Sequence, residues 1–460
     1  MLRTVGDQPT LWESILPAVV LRIPAELEAV DGLLDDPRFF EPFRAFFHER
    51  LGRPSVPIET YLRLMFLKYR YKLGFEPLCR EVADSISWQR FCRIPLGGVT
   101  PHPTTLMKIT TRCGVSAVDA LNDALLVKAA EEKVFKTNRV RADTTVVEAN
   151  VAYPVDSSLL AKGVARVARL AVRAQAQGLA TRTTVRDRTR SVYRRARDVV
   201  NTLRQRDDGR RARVWRLNAE LATIARAAVR DARRVVTNAK RQLRQLGQTA
   251  TGRQRAIVED LEVLADRLER VAVQTRERVV DGVTPAGGTR VVSLHDPDAR
   301  PISKGRLGKP VEFGYKAQIV DNEDGVIVDH NIEIGNPPDA PMLVPAIERV
   351  TRRAGCVPDV VTADRGYGEA AIEDALRAHG VRHVVLPRKG RPNTARREIE
   401  HRPAFRRQVK WRTGCEGRIS CAKRDFGLAR TRQDGIDGTR TWCGHGIFAH
   451  NLVKIAGLIP

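Results

Sequence analysis

The chain has 460 residues, 42% of them hydrophobic, and a formal net charge of +25 from 79 Lys and Arg against 54 Asp and Glu. That length allows two to four domains with a sizeable core, and a mean hydropathy of −0.31 is neither that of a disordered chain nor that of a membrane-embedded one. A positive excess of this size implies a polyanionic partner, because every phosphate neutralised by a cation releases condensed counterions.

No apolar run approaches the roughly 18–20 residues that span a bilayer. Near the start only Ile15 to Leu21 is apolar, with Glu13 before it and no small-residue cleavage site after it. No secretory signal is expected, and the protein is expected in the cytoplasm, associated with the nucleoid. The seven cysteines (Cys79, Cys92, Cys113, Cys356, Cys415, Cys421 and Cys443) are odd in number and scattered, unlike a disulfide framework. Cys415, Cys421, Cys443 and His445 are near enough in sequence to raise a zinc site. The five-residue gap after Cys415 is not a zinc-knuckle spacing, however, and no CxxC occurs, so reduced structural thiols are expected.

Residues 20–135 read as helical. Pro57-Ile58-Glu59-Thr60 opens a run in which Tyr61, Leu62, Leu64, Met65 and Leu67 recur at helical spacing. Gly74 breaks it, Pro77 to Ala83 forms a second short helix, and Pro103-Thr104-Thr105 starts another with a threonine able to cap it. Short helices with tight turns and exposed cations suit a helix-turn-helix DNA reader, and they suit an ordinary packing bundle equally well.

Asn138 to Val147 alternates apolar and polar residues, many β-branched, and predicts a strand. From Ser157 to Val280 the pattern is helical again, with Leu217, Leu221, Ile224 and Val229 at three- to four-residue spacing, which predicts an antiparallel helical hairpin or coiled coil. Residues 161–250 hold 24 Lys and Arg against 6 Asp and Glu, so this one fifth of the chain carries most of the charge excess. A one-sided charge points to phosphate contact, where mixed charge would point to a solvated face. After Pro285-Ala-Gly-Gly288 strands return: Val291 to Leu294, then Phe313 to Val320 and Val326 to Ile334 about an Asp321-to-Gly325 turn. A helix (Ala340 to Arg353), a strand (Asp359 to Ala363), a helix (Glu369 to His379), a strand (Val381 to Leu386) and C-terminal helices follow. The order β-β-β-α-β-α-β-α predicts a mixed α/β sheet of ribonuclease H-like arrangement with a large insertion after its first strand. Domains are expected at 1–135 (helical), 136–156 with 285–460 (the sheet) and 157–284 (the basic insertion).

Three carboxylates stand out. Asp143 lies inside an otherwise apolar strand, where an unpaired charge is costly. Asp364 ends Val360-Val-Thr-Ala363 and precedes a tight Arg365-Gly-Tyr-Gly368 turn, and the C-terminal end of a strand commonly faces a site. Each alone reads rather as a helix cap or an ion-pair partner. Arg412, Glu416 and Lys423 share one face of a continuous helix, an anion flanked by two cations, which suits a metal ligand beside a phosphate backbone. Alone, this is an ordinary ion pair. Mg²⁺ takes oxygen ligands and keeps several waters, so three converging carboxylates suffice to hold it.

Taken with Arg141-Ala-Asp143-Thr-Thr-Val, Tyr153-Pro-Val-Asp156-Ser-Ser-Leu-Leu160, the Lys304-to-Lys316 stretch and Thr362-Ala-Asp-Arg-Gly-Tyr367, these features resemble DDE transposases of bacterial insertion sequences. The resemblance spans nearly the whole chain and implies that Asp143, Asp364 and Glu416 are a catalytic triad binding two Mg²⁺ or Mn²⁺ ions. It implies too that Arg412 and Lys423, with Arg365 and Lys316, contact DNA, and that a homodimer in a synaptic complex acts on terminal inverted repeats and target DNA. The family's Tyr-Arg-Glu-Lys signature has Val409 at its first position here, with Trp411 the nearby aromatic. The Lys304, Arg306 and Lys309 loop lacks P-loop spacing and reads as a DNA-contacting or flexible loop. A catalytically inactive DNA-binding relative and a plain ribonuclease H-like nuclease are the alternatives.

Overall fold

Before the first strand the chain forms α1 (Ala25–Leu34), α2 (Glu41–Arg44), α3 (Ile58–Arg70), α4 (Phe75–Asp84), α5 (Ile86–Phe91) and α6 (Pro103–Glu131). The computed structural model of the chain describes residues 1–2, 14–304, 308 and 310–459, so Arg306 and Lys309 lie outside the described residues. From Ile58 to Tyr69 every α3 side chain is buried, so α3 is a core helix on all sides. Its Arg63 is wholly enclosed and paired with Asp31 and Asp35. At the start of α6, Pro103 fixes φ, and the cap is His102, whose ring accepts the Thr104 N–H; no threonine caps it. Gly114, at φ 55°, bends α6 midway.

Contacts divide the chain into two units: Met1–Glu148, Tyr315–Glu333 and Pro337–Pro460 form the first, and Ala149–Gly314 with Ile334–Asn336 the second. Strand β1 (Arg139–Glu148) closes the first pass through unit one.

Unit two contains α7 (Asp156–Ala176), α8 (Thr189–Leu203), α9 (Arg210–Leu246) and α10 (Gly252–Val279), in the stretch that the sequence predicts as a helical hairpin or coiled coil. They share one core in which Leu160, Val164, Val192, Leu221, Val229, Leu261 and Leu268 are buried. Small residues bring the helices close. A Cβ on Gly163 of α7 would stand 2.6 Å from Leu268 Cδ1 of α10. Between α9 and α10, Lys240–Glu262 (2.6 Å), Arg233–Asp266 (3.2 Å) and Arg226–Glu269 (3.4 Å) pair across the surface. Strand β2 (Arg300–Ser303) pairs antiparallel with the opening residues of β3 (Val311–Asn322), Arg300 facing Gly314.

Unit one resumes along β3 and turns into β4 (Ile327–Ile334). The Asn322 N–H donates to the Val326 carbonyl at 3.1 Å and Gly325 takes φ +80°, a link so short that β3 and β4 must run antiparallel. Then come α11 (Ala340–Ala354), β5 (Val360–Ala363), α12 (Ala370–Ala378), β6 (His383–Val385), α13 (Thr394–His401), α14 (Pro403–Arg412), α15 (Gly414–Asp425) and α16 (Gly435–Ala456). Here the sheet order is β4-β3-β1-β5-β6, with β1, β5 and β6 parallel. Helices flank this mixed sheet. Buried along most of its length, α16 packs on α1, α3 and α6, joining the N-terminal helices to the same unit as the sheet. Tyr69 and Trp442 meet edge to face at 5.0 Å, and Asn451 bonds both the N–H and the carbonyl of Ile327 at 2.9 and 2.8 Å. No helix among the described residues is long and apolar enough to cross a membrane.

Candidate active site

The parallel register of β1 and β5 sets the first pair of side chains. Arg139 faces Val360 and Ala142 faces Ala363, so one step further Asp143 stands beside Asp364. Neighbouring strands lie about 4.8 Å apart. Asp143 Oδ1 accepts the Thr144 N–H at 2.8 Å, and its Oδ2 accepts Arg412 Nη1 at 2.9 Å. Asp364 Oδ1 accepts the Gly366 N–H at 2.8 Å, which turns the chain sharply after the strand.

Burial pushes the Asp143 carboxyl above the ordinary range. The Thr144 N–H and Arg412 oppose this, and the charges of Asp364 and Glu416 add to it. Burial raises Asp364 as well, aided by Asp339 and opposed by the Gly366 N–H, Arg412 and Lys316. Each carboxylate therefore feels the other acids of the site.

Glu416 comes from the other end of the chain. α14 stops at Arg412 and α15 starts at Gly414, with Thr413 at φ −57° and ψ −23°, so the helical path bends without reversing. Arg412 then spans the gap, its Nη2 donating to Glu416 Oε1 at 3.2 Å while Nη1 holds Asp143. Arg412 thus bridges Asp143 and Glu416 and its charge reaches Asp364, though Glu416 remains 65% exposed at its side chain.

The other predicted cations are placed differently. Arg365 is exposed beside the turn. Lys423 lies two helical turns beyond Glu416, half-buried, with its charge felt by Cys443. Lys316 is buried, with Nζ 2.6 Å from Asp339 Oδ1 and donating to the Pro337 carbonyl at 2.6 Å. Its cation is thus engaged by an internal carboxylate. Trp411 carries Arg139 and Arg141 over its ring at 5.0 and 4.5 Å, and Val409 packs with Val360, Val385 and Phe405.

Sequence reasoning missed Asp339. Preceded by two prolines and standing just before a helix, it reads as a cap, yet its side chain makes no capping bond. A Cβ placed on Gly366 would meet Asp339 Oδ2 at 2.7 Å and Asp364 Oδ1 at 3.0 Å, so both acids press on one turn. Also missed was the Arg141–Asp321 pair, two hydrogen bonds of 2.8 Å behind the strand.

Four carboxylates (Asp143, Asp339, Asp364 and Glu416) are thus answered by two cations, Arg412 and Lys316, among the described residues. An uncompensated acidic oxygen set is what a hard divalent cation requires. Among the described residues no three His, Cys, Asp or Glu side chains converge tightly enough to enclose an ion, and Arg412 is the cation that Asp143 and Glu416 share. All seven thiols are free, and no zinc set assembles from them among those residues.

Two family models match: a transposase domain (DUF772) over residues 21–112, and a transposase DDE domain over residues 273–452. The chain belongs to the DDE transposases. The second match contains Asp364 and Glu416, and Asp143 lies between the two matched stretches. The transposase also resembles the uncharacterized protein ORF8 in the nfe locus of Rhizobium meliloti, 28% identical over 153 residues that cover 30% of this chain and 69% of that protein. No solved structure matches. As a DDE transposase the chain is an enzyme of DNA transposition, and the family uses divalent metal ions. A role confined to DNA binding is not favoured.

Proposed function

We propose that Asp143, Asp364 and Glu416 are the catalytic carboxylates of this transposase, and that they hold two Mg²⁺ or Mn²⁺ ions during cleavage at the ends of an insertion sequence and strand transfer into target DNA. One observation carries the reading: the β1–β5 register sets Asp143 beside Asp364, and one arginine joins Asp143 to Glu416. When bound, such ions activate the attacking oxygen and stabilise the leaving one. The protein's own part is positioning. The Thr144 and Gly366 N–H groups each fix one carboxylate oxygen, and Arg412 holds the other oxygen of Asp143. Arg412 screens the acids from one another and presents a planar fork suited to a phosphate. Arg365 and Lys423 serve as further phosphate contacts, and Lys316 acts there only by leaving Asp339.

The order β4-β3-β1-β5-β6 supports a ribonuclease H-like core. Residues 1–135 recognise the element's ends, and the basic helices of 157–284 lie along the phosphate backbone. A homodimer pairs two terminal inverted repeats in a synaptic complex. The test is an assay of purified protein on a duplex carrying one terminal repeat, with Mg²⁺ or Mn²⁺. Alanine at Asp143, Asp364 or Glu416 is expected to lower cutting at least about 10³-fold and to leave the gel shift unchanged. Full cutting by any one variant removes that residue from the set.

A further inference from the structure

Lys68 of α3 has no part in the chemistry above and is only 2% exposed. Four other buried cations of the chain have carboxylates: Arg63 has Asp31 and Asp35, Arg141 has Asp321, Lys316 has Asp339, and Arg396 has Glu373. Lys68 has none within ion-pair distance among the described residues. Its ammonium rests against aromatic faces instead, 4.1 Å from the Trp442 ring centre, 4.2 Å from Tyr69 and 4.8 Å from Phe75. Rings attract a cation but cannot replace a counter-ion or its water. Burial, with the charge of Arg432 beside it, pushes the Lys68 ammonium down to about 7.

The same lysine lines a cavity of about 190 Å³ whose other cations are Lys72, Arg430 and Arg432 and whose walls include Tyr69 and Trp442. Among the described residues no acidic side chain lines it. A neighbouring cavity of about 440 Å³ shares Lys68, Arg432 and Trp442 but includes Asp434 and Asp437, so the smaller one is the place for an anion. Arg432 is exposed and makes no ion pair among the described residues, while Arg430 is engaged by Glu148 at 2.7 Å at the far end of the strand that carries Asp143.

We propose that this smaller cavity seats one backbone phosphodiester of bound DNA on Lys68, Lys72 and Arg432, apart from the catalytic carboxylates. The proposal rests on the transposase's action on DNA, and it adds a contact from the N-terminal helices and the α15–α16 loop together. A phosphate there supplies the counter-ion that Lys68 lacks, and the rings of Tyr69 and Trp442 keep the ammonium in place for it.

The test is fluorescence anisotropy of the full chain on a labelled terminal-repeat duplex, over a salt series, with thermal melts alongside. Arg432→Gln and Lys68→Met are each expected to reduce the slope of log affinity against log salt by about 1, with Arg382→Gln as an unaffected surface control. Lys68→Met is also expected to melt no lower than wild type, since it removes a buried charge without a counter-ion. An unchanged slope in the folded Arg432→Gln protein overturns the proposal, as does a Lys68→Met protein that melts lower yet binds normally. Stabilisation by inorganic phosphate with no change in either DNA slope assigns the cavity to a free anion and overturns it as well. Failure of the wild type to bind the duplex at all is a separate result, and it counts against the DNA reading itself.

Discussion

Asp321 and Asp329 are as deeply buried as any side chain in the protein, and arginines answer both: Arg141 pairs with Asp321, and Arg349 and Arg353 pair with Asp329. Asp143 and Asp364 are less buried and less well compensated, since Arg412 must serve Asp143 and Glu416 together. Their carboxyls are raised by burial first, so the folded state binds protons more readily there than the unfolded chain does. Stability from that source is present below the ordinary aspartate range and disappears as pH rises through the folded value. At neutral pH the ionised pair therefore strains the fold. Asp364→Asn is expected to raise the unfolding midpoint by a few degrees, about 1 kcal/mol, while abolishing cutting. A calorimetric midpoint below that of wild type would show instead that the carboxylate is structural. Both aspartates were legible because a charge in an apolar strand has few explanations. Asp339 was not, because a carboxylate before a helix already has one.

At the level of elements, the sequence pattern runs α14 and α15 together as one helix through Arg412 and Lys423, and the break at Thr413 has a local cause. Arg141, anchored on Asp321, donates to the Trp411 carbonyl at 2.6 Å and takes an acceptor from the helix ladder. It can do so only because residue 414 is glycine, where a Cβ would stand 2.3 Å from Arg141 Nη1. Periodicity along the chain cannot reveal an arginine arriving from a strand some 270 residues earlier. The turn after β5 is stitched in a similar way. Lys389 N–H donates to the Gly368 carbonyl at 2.9 Å, and a Cβ on Gly368 would lie 1.9 Å from the Pro387 carbonyl oxygen. Backbone cannot yield as a flexible side chain can. Gly368→Ala is expected to cost about 2–3 kcal/mol by overpacking. It should also slow cutting well beyond that loss, since the displaced segment begins at Asp364. Denaturant melts together with cleavage rates would check it, and an alanine variant with wild-type midpoint and rate would refute the close approach.

Across the whole molecule, most strand and helix types were legible from residue periodicity, and so was the helical character of the insertion. Val291 to Leu294, however, forms no strand and packs its apolar side chains into the helical core, while the short strand Arg300–Ser303 went unread. The long-range partnership of α3 with α16 was not legible, because each reads only as an apolar helix and nothing local names its partner. That partnership nevertheless governs how the protein responds to acid. His445, stacked on Tyr69 at 5.6 Å, and His450, bonded to Asn451, are both buried on α16, and burial lowers each to about 3. Unfolded, they would protonate near 6.5. The folded state thus binds fewer protons between those values, and stability falls as pH drops from 6.5 toward 3. Lys68 adds a loss of the same sign at higher pH, between its unfolded value and about 7. Asp143 and Asp364 act in the opposite direction, and only once the pH nears the carboxyl range. His445→Phe keeps the ring stack and removes the titrating group. Between pH 6 and 4 the slope of unfolding free energy against pH should drop by about 1.4 kcal/mol per unit, one proton's worth. An unaltered slope in denaturant melts would mean that His445 is already charged in the fold, and the α3–α16 junction would then need a counter-ion for it.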